Sequence, residues 1–465
     1  MQNHTWMIAV MVCAIFFHTC FVSGDPTEDF KIERLPDQPN VTFQQYSGYV
    51  YVDSAKTRAL FFYFVEAETQ PESKPLVLWL DGGPPCSAVG QGVFIEHGPF
   101  RPKGDILTKN EYSWNRVANM LYLDAPAGAG FSYSTNESYY NYLNDDMTAQ
   151  DSLEFLNGWF AIFSKYKEYD FYIGGESYGP HFVIPLAKLI VDKKLPYKLK
   201  GLALGNPLLE FNTDLNARDL YYWSHGLISD DVYHRTLTVC NTSQYWRESL
   251  RGNISEACNA TFNLSVQQRD VVNLYEVTGD NCLSSDTSQS QRDDLNLGRK
   301  TKIFGTYVDL CASDTVTKYL NREDVKKALH AKLVGFTSWA LCSDEEVVRY
   351  DDRDAQIPMD GLLGSLVKSG HRTLVYSGDQ DAVLPFFGTR TLVDGIANAL
   401  NLNTTTPYRT WYEGRQVAGW TQSYDDGLLT FATIRKGNHQ APYNQPARSL
   451  TLFEAYLAGK PPPEQ

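Results

Sequence analysis

Five residues, Gly175-Glu176-Ser177-Tyr178-Gly179, restrict this chain more than any other stretch. They stand between an apolar run ending at Ile173 and a helical pattern over 177–191, and a G-x-S-x-G sequence at such a junction makes a sharp elbow. Its small residues avoid the neighbouring backbone, and Ser177 is projected beyond the sheet edge. The start of the helix then leaves N–H groups where a developing oxyanion can accept from them. Such an elbow needs a sheet behind it and helices around it.

The remaining patterning supplies both. Strand-like runs at 46–52, 60–66, 75–80, 120–123, 171–173 and 199–204 alternate with helical patterns such as 145–166, which predicts an α/β sheet and not an all-β sandwich. From residue 208 the texture turns polar, with helical pieces such as 324–333, until an apolar strand returns at 373–376. We read 25–207 as the first part of a core, 208–345 as an insertion or lid, and 346–465 as the second part. The second part carries a predicted helix at 392–400, strands at 408–412 and 429–434, and a last helix at 449–457. Pro461-Pro462-Pro463 reads as a short terminal run of turn formers. Lys and Arg number 41 against 55 Asp and Glu, a net charge of −14 with no long basic run, which argues against a nucleic acid partner.

Serine is a poor nucleophile at neutral pH unless an imidazole takes its proton and an acid holds that imidazole. Two later segments offer both. The strand-like Leu374-Val375-Tyr376 runs into Ser377-Gly378-Asp379-Gln380-Asp381, and the run ending at Ile434 leads through Gly437 to His439. The order Ser177, Asp381, His439 is that of the α/β-hydrolases, in which loops at strand ends bring distant residues together. After the apolar run 76–80 comes Asp81-Gly82-Gly83-Pro84-Pro85-Cys86-Ser87. Adjacent glycines let backbone approach a reacting carbonyl, which makes the Gly83 N–H the natural second oxyanion donor beside that of Tyr178.

The first 24 residues hold an uncharged run from Trp6 to Phe17 and small residues Ser23 and Gly24, the pattern of a cleaved signal peptide. Six cysteines follow, Cys86, Cys240, Cys258, Cys282, Cys311 and Cys342, an even set that suits three disulfides in an oxidising compartment, with the pairing open. Candidate N-glycosylation triplets begin at Asn40, Asn136, Asn241, Asn253, Asn259, Asn263 and Asn403, clustering within the insertion.

The segments SKPLVLWLDGGPPCS, GPFRPKG, NEYSWNRVANMLYLDAPAGAGFSYS, GGESYGPHF, ALGNPLLEF, LVYSGDQDAVLP and GWTQSYDDGLLTFATIRKGNHQAPYNQP occur in this order. They resemble the serine carboxypeptidases of the eukaryotic secretory pathway, most of all the plant serine carboxypeptidase-like group. The resemblance implies an α/β-hydrolase fold with a mixed, mostly parallel central sheet and a largely helical, disulfide-bonded insertion. It implies Ser177 as nucleophile, Asp381 as acid, His439 as base, and Gly83 and Tyr178 as backbone oxyanion donors. It also implies that Asp81, Glu96 and Glu176 recognise the substrate's terminal carboxylate, that Asp124 gives a basic or mixed side-chain specificity, and that no metal or other cofactor takes part. The disulfides it implies are Cys86–Cys342, Cys240–Cys258 and Cys282–Cys311.

Several residues depart from the usual family pattern. Asp81 replaces an Asn, Pro85 replaces the Gly before Cys86, Gly179-Pro180 replaces Ala-Gly after the nucleophile, and Lys436-Gly437-Asn438 replaces Gly-Ala-Gly before the base. An ionised Asp81 would repel a carboxylate by about 4 kcal/mol at 4 Å and an effective dielectric of 20, so good binding requires protonated acids and low pH. The expected function is release of C-terminal amino acids from peptides at acidic pH through an acyl-enzyme, in a glycosylated protein of the secretory pathway, extracellular or vacuolar. The competing readings are acyl transfer to a small alcohol, and a secreted binding or structural protein whose site Asp81, Pro85 and Pro180 have degraded.

Overall fold

The computed structural model describes residues 25–104, 106–279, 310–344 and 346–465, with the side chains of Leu310 and Cys311 left out. The signal-peptide expectation and the Cys282–Cys311 pairing lie outside the described residues. Thirteen strands are present among those described: β1 Gln45–Tyr51, β2 Arg58–Val65, β3 Leu76–Leu80, β4 Phe100–Lys103, β5 Ile106–Lys109, β6 Asn119–Leu123, β7 Tyr133–Ser134, β8 Asp170–Glu176, β9 Lys198–Gly205, β10 Arg372–Gly378, β11 Thr404–Glu413, β12 Gln416–Tyr424 and β13 Leu429–Ile434. The main sheet runs β1-β2-β6-β3-β8-β9-β10-β13-β12-β11, with β7 against β2 and β4-β5 a separate hairpin. Pairing is parallel from β6 through β13 and antiparallel at both flanks. This is an α/β-hydrolase fold.

The central strands are apolar on both faces because both faces are covered. In β2, Leu60, Phe62 and Phe64 enter one core layer and Phe61, Tyr63 and Val65 the other. Likewise Leu76, Leu78 and Leu80 of β3 face the first layer while Val77 and Trp79 face the second, as the two-residue period of a strand requires. Helices Asp145–Ile162, Pro180–Asp192, Asp360–Lys368 and Phe386–Ala399 contribute side chains to the first layer. The helix Val89–Glu96, wound in the wide π form, and Pro446–Leu457 contribute to the second.

Between β9 and β10 lies a helical insertion that includes Phe211–Ser224, Asp230–Thr238, Thr242–Leu250, Glu256–Arg269, Leu310–Leu320 and Glu323–Ala328. Cys240 pairs with Cys258 inside it, and Cys86 pairs with Cys342. The proline tail is not a loose end: Pro463 C=O accepts from Tyr412 N–H and Pro462 C=O from Arg409, so it covers part of the edge strand β11. Among the described residues no helix is long and apolar enough to cross a membrane.

Candidate active site

The topology sets out the site. Strands β3, β8, β9, β10 and β13 are consecutive neighbours and parallel, so their carboxyl ends form one row at the spacing of hydrogen-bonded strands, about 4.8 Å. Along that row follow, in order, the Asp81–Cys86 turn, Ser177, Asn206, Asp381 and the loop carrying His439.

Ser177 is half-buried at the tip of the elbow and has φ 61°, a left-handed conformation that costs a non-glycine residue about 1–3 kcal/mol. The surroundings enforce it. Ser177 N–H donates to Gly205 C=O at 3.0 Å, and Ser177 C=O accepts from Leu208 N–H at 2.8 Å. Both motif glycines are required by backbone, since a Cβ at Gly175 would come 2.6 Å from the Leu80 carbonyl oxygen and one at Gly179 would come 2.8 Å from that of Glu176. The helix begins at Pro180 and not at residue 177. Proline at this first helical position forfeits an N–H that has no partner within the helix.

Beside the elbow, a Cβ at Gly82 would lie 2.6 Å from Tyr178 N and 2.9 Å from Ser177 Cβ, so only glycine lets the 81–86 turn approach this closely. Gly83 has φ 106°, and its own Cβ position falls 2.6 Å from Cys86 Sγ. Pro85 is accommodated: its C=O accepts from Ser343 N–H and Cys86 N–H donates to Gly82 C=O, both at 3.0 Å.

Asp381 and His439 form a buried pair, with Nδ1 2.7 Å from Oδ2. A carboxylate only accepts, so Nδ1 carries the proton and Nε2 is left as the basic nitrogen. Asp381 Oδ2 also accepts from Asn206 Nδ2 at 2.8 Å, while Oδ1 accepts from the N–H groups of Val383 and Leu384. Sequence reasoning assigned nothing to Asn206, although it lies within the ALGNP segment. It also left the other acid of the turn, Asp379, without a task; Asp379 Oδ1 accepts from Lys436 N–H at 2.7 Å and so holds the start of the His439 loop.

Asp81, Glu96 and Glu176 are buried together, with one oxygen of each within 4.8 Å of the others. Written as anions, Asp81 Oδ2, both Glu96 oxygens and Glu176 Oε2 have no donor. Burial pushes all three acids up, and the charge of Glu96 adds to the rise at Asp81 and at Glu176; Glu96 is pushed up to about 7. These are the described residues whose oxygens could surround a cation. Protons relieve the same crowding, because a protonated carboxyl becomes a donor to its neighbour.

Asp124 lies close enough to Asp81 for its charge to raise that acid. It is fully buried, with Oδ1 accepting from Ser87 Oγ and Val89 N–H and Oδ2 from Phe131 N–H. These bonds join the loop after β6 to the 87–89 segment. Of the candidate glycosylation sites, Asn40, Asn136, Asn253, Asn259, Asn263 and Asn403 are exposed. Asn241 is half-buried and caps the helix Thr242–Leu250 by accepting from Gln244 N–H.

Fold and site together define an α/β-hydrolase with a serine elbow, a His–Asp pair and a buried acidic trio. The sequence pattern of the family described as serine carboxypeptidase matches residues 36–459, and the chain belongs to that family. It is 50% identical over 463 residues to serine carboxypeptidase-like 45 of Arabidopsis thaliana, covering 98% of each chain. It is also 50% identical over 439 residues to serine carboxypeptidase-like 46 of the same plant, covering 94% of this chain and 93% of that one. Among solved structures it is similar in fold to a prohormone-processing carboxypeptidase from Saccharomyces cerevisiae, with a TM-score of 0.73 at 20% identity, covering 92% of this chain and 96% of that one.

Proposed function

We propose that this serine carboxypeptidase releases the C-terminal amino acid of peptides at acidic pH, with Ser177 as nucleophile and His439 as its base. His439 Nε2 takes the Ser177 proton as Oγ attacks the last peptide carbonyl, and Asp381 holds the imidazole and stabilises its cation. The N–H groups of Gly83 and Tyr178 receive the oxyanion. His439 then protonates the departing amino acid; in the second half it takes a proton from the water that attacks the acyl-enzyme and returns it to Ser177 Oγ as the acid product leaves.

The observation that carries this reading is the placement of the acidic trio. Glu176 immediately precedes Ser177, and Asp81 opens the turn that carries Gly83, so a carboxylate held by the trio belongs to the residue next to the attacked carbonyl. Three acids that retain protons donate to that carboxylate; three anions repel it. The oxidising secretory pathway, ending outside the cell or in a vacuole, suits the two disulfides, and N-glycans suit the exposed asparagines.

The test compares matched peptides with a free or an amidated C-terminus from about pH 4 to 7. The expected result is a strong preference for the free terminus at acidic pH that fades toward neutrality; equal turnover of both peptides at every pH would remove carboxylate recognition from the account. Release of no amino acid while the acyl group appears on an added alcohol would turn the assignment to acyl transfer.

A further inference from the structure

Asn438 is a departure from the family pattern, in the position before the base, and its side chain is engaged. Its Nδ2 donates to Glu276 Oε2 at 3.0 Å, and Glu276 Oε1 accepts from Asn444 Nδ2 at 3.2 Å. Asn444 closes the same loop from within, donating to Lys436 C=O and accepting from Asn438 N–H. Glu276 therefore holds both arms of the loop that presents His439.

Glu276 belongs to a run of four insertion residues that all bind the ends of β10 and β13. Leu274 C=O accepts from Ala382 N–H at 2.9 Å, and Val277 N–H donates to Gln380 C=O at 3.2 Å, one contact on each side of Asp381. Tyr275 C=O accepts from His439 N–H at 2.8 Å, and its ring stands edge-on to the imidazole at 4.9 Å and 86°. The backbone part of this clasp is available to any sequence. The Glu276–Asn438 link is not, because a glycine at 438 has no side chain to offer.

We propose that Glu276 is a positioning residue for His439, acting through Asn438, and that this chain thereby makes its insertion part of the catalytic apparatus. The proposal rests on the reading of Ser177 and His439 as nucleophile and base. Misplacing a reacting group by about 1 Å can cost about 100-fold in rate, so loosening this loop should lower turnover while leaving ground-state binding alone.

The experiment separates the two claims by following covalent labelling of Ser177 with a fluorophosphonate, in which Oγ displaces fluoride and no peptide is needed. In the full chain, E276A and N438G should each slow labelling and kcat by about tenfold, with KM within about twofold of the original. The double variant E276A/N438G should be no slower than the slower single, since both remove one link. E276Q should retain most of the rate: Asn438 Oδ1 has no donor in the structure, and the amide can turn to accept from Gln. Labelling within about twofold of the original in both single variants, or effects that multiply in the double, overturns the latch. If E276A does not fold, N438G and E276Q decide alone by the same criteria. An original chain that fails to label at Ser177 overturns the nucleophile reading, and the latch with it.

Discussion

Asn206 and His439 meet on a single oxygen: Asp381 Oδ2 accepts from Asn206 Nδ2 at 2.8 Å and faces His439 Nδ1 at 2.7 Å. With Val383 and Leu384 donating to Oδ1, the buried carboxylate is fully hydrogen-bonded, which is what lets a charge persist away from water. Asn206 sits at φ 41°, a conformation Asn adopts more readily than most residues. Its Oδ1 accepts from Gly378 N–H at 3.2 Å, so one side chain ties the end of β9 to the acid turn.

Asn206→Ala should therefore act twice. Losing the Gly378 acceptor strands a buried donor and costs about 1–3 kcal/mol of stability, and losing the Asp381 donor lowers kcat with little change in KM. Asn206→Asp should be worse than Ala, because two like charges at about 4 Å repel by about 4 kcal/mol at an effective dielectric of 20. Denaturant midpoints and steady-state kinetics on the pair of variants check both orders; Ala worse than Asp in kcat would refute the shared-oxygen account.

A second buried His–Asp pair stands behind the elbow. Asp145 Oδ2 faces His181 Nδ1 at 2.7 Å, and its Oδ1 accepts from Tyr178 OH at 3.0 Å and Tyr350 OH at 2.7 Å. Tyr178 stacks on His181 at 4.4 Å, so the residue whose N–H is proposed for the oxyanion is gripped through its ring. Asp145→Ala leaves three donors without their acceptor and should destabilise the protein by about 3–5 kcal/mol. Asp145→Asn keeps an acceptor and should fold, with kcat down about tenfold and KM nearly unchanged. A raised KM at unchanged kcat would show that the network serves binding and not the oxyanion.

How much of this was legible in the sequence depends on the range of the interactions. Strands β2, β3 and β6 were readable because a sheet covered on both faces demands near-continuous apolar runs of this length. β12 was missed because Gln416–Tyr424 mixes glycine, threonine and glutamine and owes its pairing to β11 and β13. The helix after Ser177 was placed three residues early, since the elbow's composition suits a helix and only the contacts around it force Ser177 to positive φ. Ser177, Asp381 and His439 were visible through local motifs, whereas Asn206 and Glu276 gain their partners across strand ends or from an insertion more than a hundred residues away. The hydrogen bonds that hold Asp124, from Ser87, Val89 and Phe131, were not legible, because its partners come from loops that only the fold brings together.

The two observed disulfides should separate stability from catalysis. Cys86–Cys342 spans 256 residues and its sulfur lies against Gly83; Cys240–Cys258 spans 18 and ties the link before the helix Thr242–Leu250 to the helix Glu256–Arg269. Loop-closure entropy predicts a stabilisation of about 3–5 kcal/mol for each, larger for the longer loop. The paired variant C86A/C342A should lose both thermal stability and kcat, because the turn that carries Gly83 loses its anchor. C240A/C258A should lose stability alone. Equal kcat in the two paired variants, measured well below both unfolding temperatures, would mean that the backbone bonds of Pro85 and Ser87 to Ser343 and Leu341 suffice to hold the turn.

The acidic trio links stability to pH with a definite sign. Burial pushes up Asp81, Glu96 and Glu176, Glu96 to about 7, and the charge of Glu96 adds to the rise at Asp81 and Glu176, so between about pH 4 and 7 the folded chain keeps protons that the unfolded chain has released. Stability must then fall as pH rises through that window, being fully present only below the unfolded values near 4. Asp124 and Asp219, pushed up to about 6, and Asp214, pushed up to about 7, chiefly by burial, tilt the curve the same way, so the informative quantity is a difference between variants. Asp81→Asn removes one acid and the repulsion it exerts on Glu176. Its unfolding free energy should decline less steeply than that of the original chain, the gap widening with pH by about 1.4 kcal/mol for each pKa unit relieved. Over the same range D81N should keep cleaving free C-termini toward neutrality, where the original fades, because an amide donates to a carboxylate at any pH. Unfolding curves and free-terminus kinetics at four or five pH values measure both; parallel stability curves together with parallel activity profiles would mean that Asp81 holds no proton in common with Glu96 and Glu176.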